Sequence, residues 1–113
     1  MKRDSGMKKE WMALAVASAL LPGAALAGTA ADMQALADKS GCFSCHGMQS
    51  KLVGPGFAEV AAKYKGDSQA AERLAKKIRE GGKGAWGRIP MPPHGSLAED
   101  DAKKLAEWVL SAS

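Results

Sequence analysis

Apolar positions in this chain recur every three to four residues in four places and alternate every second residue nowhere, a pattern that predicts short helices and no strands. Met33, Leu36, Ala37 and Ser40 share one helical face, with Thr29 and Asp32 placed to form a capping box before it and Gly41 after it. Phe57, Val60, Ala61 and Tyr64 repeat the spacing ahead of Gly66. Ala71, Leu74, Ala75 and Ile78 repeat it again, with Asp67 or Ser68 as N-cap and Gly81-Gly82 as the stop. Ala98, Ala102, Leu105 and Val109 mark a last helix. Its capping box is predicted at Ser96 and Glu99, and Glu99, Asp100 and Asp101 suit the positive end of its dipole.

Two irregular stretches interrupt this pattern. Residues 47–56 hold Gly47, Gly54, Pro55 and Gly56, and residues 81–95 hold five glycines with Pro90, Pro92 and Pro93. Both are too apolar to be plain linkers. Four short helices with few large side chains have little to pack around, so the pattern asks for something bulky and apolar at the centre.

The first 27 residues follow a different logic. Lys2, Arg3, Lys8 and Lys9 precede an apolar run from Trp11 to Leu21, Pro22 and Gly23 break it, and Ala25-Leu26-Ala27 gives a small-x-small end. This predicts a signal peptide over 1–27, cleaved on export to the periplasm, and one domain over 28–113. An uncleaved anchor is the rival, but the segment is shorter and more interrupted than the ~20 apolar residues of a membrane span. The chain is therefore expected to have no stable membrane insertion after cleavage. The formal charge is +4, and four of the sixteen basic residues lie in the leader. From Gly28 onward, 12 basic residues against 10 acidic ones leave +2, interleaved along the chain, which does not support nucleic-acid binding.

Candidate chemistry sits between the first two helices. Gly41-Cys42-Phe43-Ser44-Cys45-His46 contains C-x-x-C-H, the attachment sequence of c-type haem. Two thiols three positions apart can add to the two vinyl groups on one porphyrin edge, and the next residue can present an imidazole nitrogen to the iron. The motif consumes both cysteines of the chain. Other uses fit less well. A thioredoxin-like dithiol wants a strand–turn–helix setting. A zinc site would have only Cys42, Cys45, His46 and His94 to draw on, at unusual spacing. A disulfide between such near cysteines closes too small a loop to stabilise much. For a sixth ligand, Met91 is favoured, because Pro90, Pro92 and Pro93 hold it in a loop that cannot be helical. Met33 reads as core and Met48 follows His46 too closely to reach the other side of a ring. His94 is the competing ligand, otherwise placed behind the site or at the surface.

With these stretches in order, the chain resembles the small class I bacterial cytochromes c of the c-551 (c8) group. Gly-Cys-Phe-Ser-Cys-His at 41–46, Lys-Leu-Val-Gly-Pro at 51–55, Gly-Ala-Trp-Gly at 84–87, Ile-Pro-Met-Pro-Pro at 89–93 and Leu-Ala-Glu-Trp-Val-Leu at 105–110 carry the resemblance. It implies an all-α fold of about four helices around one covalently attached haem c. It also implies thioether bonds from Cys42 and Cys45, iron ligation by His46 and Met91, and a hydrogen bond from the His46 ring to the Pro55 carbonyl. Trp86 is implied as a donor to a haem propionate, and Lys77 stands where the family commonly has an arginine near the propionates. His94 replaces a common asparagine, and Arg88 a common proline.

A haem closed by histidine and methionine exchanges electrons but does not readily bind substrate. The expectation is thus a non-enzymatic, one-electron periplasmic carrier, a monomer that docks transiently on redox partners through its haem edge. Phe43, Leu52, Val53, Ile89, Pro90 and Pro92 are expected to ring that edge. In the resembling family the donors are membrane cytochrome complexes and the acceptors a nitrite reductase or terminal oxidase. The alternatives are an open-iron haem enzyme or gas sensor, or a fixed electron-entry subunit of a larger enzyme.

Overall fold

The computed structural model describes residues 29–113; the predicted export segment 1–27 lies outside the described residues. Helix α1 (Ala30–Lys39) leads through a 3-10 turn (Cys42–Ser44) and a long loop to α2 (Phe57–Lys63), followed by α3 (Ala70–Glu80) and α4 (Glu99–Leu110). Among the described residues there is no strand, only two isolated bridges, His46 with Lys51 and Gly82 with Met91. No described helix is long and apolar enough to cross a membrane.

The caps show how local chemistry starts each helix. Thr29 and Asp32 form the reciprocal box at α1: the Asp32 N–H donates to Thr29 Oγ1 at 3.0 Å and the Thr29 N–H to Asp32 Oδ2 at 3.2 Å. At α2 the Gly56 N–H donates to Glu59 Oε1 at 2.7 Å. Two expected caps are displaced. Helix α3 has Gln69 at its N-cap, without a side-chain bond. Asp67 instead accepts from the Gln69 N–H at 2.9 Å and pairs with Arg73. Helix α4 has Ala98, not Ser96, at its N-cap, and Glu99 Oε2 turns to Arg79 Nη1 at 3.4 Å. Arg79 also donates through Nε to the Leu97 carbonyl at 2.9 Å, so one guanidinium fastens the end of α3 to the approach to α4.

Helix α4 is the central beam, packing on α1, α2 and α3. It buries Ala102, Leu105, Ala106 and Val109. Leu105 packs with Met33 and Ala37 of α1, and Val109 with Phe57 and Val60 of α2. Phe43 and Trp108 join both groups. Helix α3 buries only Ala70 fully; its Leu74 and Ile78 are half-buried and face a cleft shared with the loops.

Candidate functional site

The cysteine–histidine side is built from a short stretch of chain. Gly41 adopts φ 83°, a left-handed conformation suited to glycine, and turns the backbone from α1 into the 3-10 turn. The N–H groups of Cys45 and His46 both donate to the Cys42 carbonyl, at 3.1 and 3.0 Å, gathering the motif into one turn. Both thiols are free and half-buried, and both line the cleft. Burial pushes the Cys42 thiol above its ordinary value, opposed more weakly by a backbone hydrogen bond.

His46 is fixed on several sides. Its Nδ1 lies 2.7 Å from the Pro55 carbonyl, so Nδ1 carries the hydrogen, and in the neutral ring Nε2 is the nitrogen with the lone pair. The ring stacks on Phe57, centroids 5.0 Å apart and planes 22° from parallel. Gly54 lies against the imidazole: a Cβ there would come within 3.0 Å of Cε1 and 3.3 Å of Nδ1. The loop carrying Pro55 is itself tied down. Val53 and Gly54 donate to the Cys45 carbonyl at 3.1 and 2.7 Å, and Phe57 and Ala58 to the carbonyls of Gly47 and Met48, each at 2.9 Å.

The methionine side comes from a loop distant in sequence. Gly82 and Met91 exchange two backbone hydrogen bonds of 3.0 and 2.7 Å. Gly81, at φ 74°, sits so close that a Cβ would be 2.5 Å from the Met91 carbonyl. Of the three methionines in the described residues, Met33 is core, Met48 is exposed and away from the cleft, and Met91 lines it. Its neighbours Pro90 and Pro92 line it too. His94 does not. Its N–H donates to the Ile78 carbonyl at 2.9 Å, and its buried Nδ1 has no hydrogen-bond partner.

These walls enclose a cleft of about 260 Å³, in which Cys42, Cys45, His46, Pro55, Lys77, Trp86 and Met91 all take part. Leu74, Ile78, Leu105 and Val109 make much of the remaining wall apolar. Among the described residues, four that line it are basic (Lys51, Lys77, Lys83 and Arg88), and no aspartate or glutamate does. Val53, at 45% exposure, and Ile89, at 67%, stand at its open side. Two expectations need correction. Phe43 does not ring the edge: it turns inward, 5.8 Å from Phe57 and 6.5 Å from Trp108, because the 3-10 turn points it at the core. Leu52 is exposed but not part of the cleft wall. Trp86 is 39% exposed at the rim, and Lys63 covers its ring at 4.5 Å. Lys63 had no signal in the sequence pattern.

The donor set fits a haem c. Two thiols sit on one turn, a single imidazole has Nε2 available, a thioether comes from a separate loop, and the walls between are apolar.

The Cytochrome c family model matches residues 30–113. The chain is 45% identical to cytochrome c-552 of Nitrosomonas europaea over 105 residues, covering 93% of this chain and 98% of that one. It is 58% identical to cytochrome c-551 of Azotobacter vinelandii over 71 residues, covering 63% and 85% respectively. The crystal structure of wild-type Nitrosomonas europaea cytochrome c552 superimposes with a TM-score of 0.66 at 46% identity, covering 69% of this chain and 96% of that one. The class 1 cytochrome MtoD of Sideroxydans lithotrophicus gives 0.61 at 29% identity, covering 70% and 90%. With an all-α fold, a C-x-x-C-H turn and these relatives, the chain belongs to the cytochrome c family, as a small class I electron carrier, not an enzyme, with one covalently bound haem c.

Proposed function

We propose that Cys42 and Cys45 hold the haem by thioether bonds, that His46 Nε2 and the Met91 thioether ligate its iron, and that Trp86 and Lys77 serve its propionates. The observation that carries this reading is the selection among methionines: of those in the described residues, Met91 alone shares the cleft with the cysteine–histidine turn. The bound haem supplies one-electron exchange between ferric and ferrous iron. The chain sets how that exchange proceeds. The Pro55 carbonyl fixes the His46 ring through Nδ1, and the Gly82–Met91 bridge holds the methionine backbone, so little has to rearrange. Apolar walls disfavour the extra charge of the ferric state, and a thioether ligand raises the potential in the same direction.

Partners dock transiently on the side where Val53 and Ile89 are exposed, with Lys51, Lys83 and Arg88 at the rim. The reading places the protein in the periplasm, between a membrane cytochrome complex and a nitrite reductase or terminal oxidase, supported by the export-like residues 1–27.

The test is the visible spectrum of the exported, haem-loaded protein and of Met91→Ala. The parent should keep its haem on denaturation, show the weak far-red charge-transfer band of methionine-ligated ferric haem, and ignore carbon monoxide when reduced. Met91→Ala should lose the band and bind carbon monoxide. A parent that lacks the band and binds carbon monoxide has an open iron, which would replace the carrier reading with a ligand-binding or catalytic one.

A further inference from the structure

The segment from Lys83 to Arg88 is exposed along its whole length, yet it carries Trp86 to the rim of the cleft. Its own structure is thin. Gly84 and Gly87 adopt φ 104° and 130°, and the one hydrogen bond within the segment runs from the Gly84 N–H to the Gly87 carbonyl at 3.0 Å. The Gly82–Met91 bridge fastens the base of the loop and leaves its tip free. Glycines in such conformations give the backbone many alternatives to this one. Something else has to hold the tip.

Lys63, in the last turn of α2, reaches across to it. Its ammonium donates to the Ala85 carbonyl at 3.2 Å and lies 4.5 Å from the centre of the Trp86 ring. It also lies 5.7 Å from the Tyr64 ring. One side chain thus engages the backbone and the aromatic face of adjacent residues in the same loop. A hydrogen bond at Ala85 alone would fix the chain and leave the indole free to rotate. Contact with the ring face restricts the indole plane as well.

We propose that Lys63 is a positioning residue: it clamps the 83–88 loop to α2 and sets the plane of the Trp86 indole, so that the indole N–H meets the haem propionate in one orientation. This rests on the reading of Trp86 as a propionate donor given above. Among the described residues no aspartate or glutamate pairs with the Lys63 ammonium.

Three variants of the haem-loaded protein test it: Lys63→Met, which keeps the stem and loses charge and donor; Lys63→Arg, which keeps both; and Trp86→Leu. Amide hydrogen exchange at Gly84, whose N–H makes the one hydrogen bond of the segment, should speed up by about three- to tenfold in Lys63→Met, as expected for losing one exposed cation–ring contact and one hydrogen bond, and return toward the parent rate in Lys63→Arg. Unchanged exchange in Lys63→Met would overturn the clamp. The reduction potential separates positioning from simple charge. Lys63→Met should lower it, because a nearby cation disfavours the ferric state, and the lowering should shrink by at least half when Trp86 is already leucine. Equal lowering in both backgrounds would mean that the ammonium acts through space alone, which would overturn the positioning role. The far-red methionine band of the parent reads the His46/Met91 assignment independently, and the exchange rates report on the clamp whichever way that band turns out.

Discussion

Removing the Phe57 ring should cost this protein a large part of its stability and loosen its histidine at the same time. The ring is 5% exposed at the start of α2. It stacks on His46, packs at 5.8 Å on Phe43 and meets Trp108 edge-on at 5.5 Å. Phe→Ala in a packed core costs about 3–5 kcal/mol, from lost burial plus the cavity left behind. Two aromatic neighbours, each worth about 0.5–1.5 kcal/mol beyond burial, place Phe57→Ala in the upper half of that range. Phe57→Leu fills most of the space and should lose about 1–2 kcal/mol, mainly the ring–ring terms. Set against the ~5–15 kcal/mol that holds a small domain together, the alanine variant sits near the edge of folding. The assay is guanidinium unfolding of the haem-loaded protein, followed by tryptophan fluorescence. In parallel, the far-red band should weaken in Phe57→Ala, because the imidazole keeps its Pro55 bond but loses the flat surface behind it. A cost below about 1 kcal/mol for Phe57→Ala, with an unaltered band, would refute Phe57 as the joint between core and site.

Two further substitutions probe the same framework. Gly54→Ala places a methyl 3.0 Å from His46 Cε1 while Phe57 and Pro55 hold the ring from other directions, so the imidazole must tilt; a shifted potential and weaker far-red band are expected, and an unchanged spectrum would show that the loop yields instead. Asp67 is held below the ordinary carboxylate value chiefly by its hydrogen bond from Arg73. Its contribution is therefore present above its unfolded pKa and lost as pH falls through the lowered folded one. Asp67→Asn should remove a small part of the acid dependence of unfolding below about pH 4, small because the pair is exposed to solvent. Identical acid limbs for the two proteins would contradict this.

Helix positions were legible because their apolar faces repeat at the helical period, and the Thr29–Asp32 cap because its two partners are three residues apart. The caps of α3 and α4 were not. Asp67 turns to the Gln69 N–H and to Arg73, six positions on, while Glu99 takes Arg79, twenty positions away, which approaches only in the folded chain. The inward turn of Phe43 follows from a 3-10 turn too short to leave a periodic signal. The seven chosen site residues do share one cleft, since sulfur, imidazole and proline chemistry marks them individually. Lys63 carries no such mark. An exposed lysine in a last helical turn looks like any other until the loop twenty-two positions later folds over it.

The two sides of the cleft differ in how much chain must be ordered to make them. The imidazole and its carbonyl acceptor are nine positions apart, within a stretch stitched by bonds from Cys45 to Ala58. Apart from the Lys63–Ala85 contact, the thioether arm is joined to that stretch through α3 and α4. Closing a short loop forfeits less chain entropy than closing a long one, so the histidine arm can assemble early and from local contacts. The methionine arm depends on the docking of two helices and should open first when the molecule fluctuates. The cleft therefore has a hinge side and a latch side, and partial unfolding releases the latch while the hinge still holds.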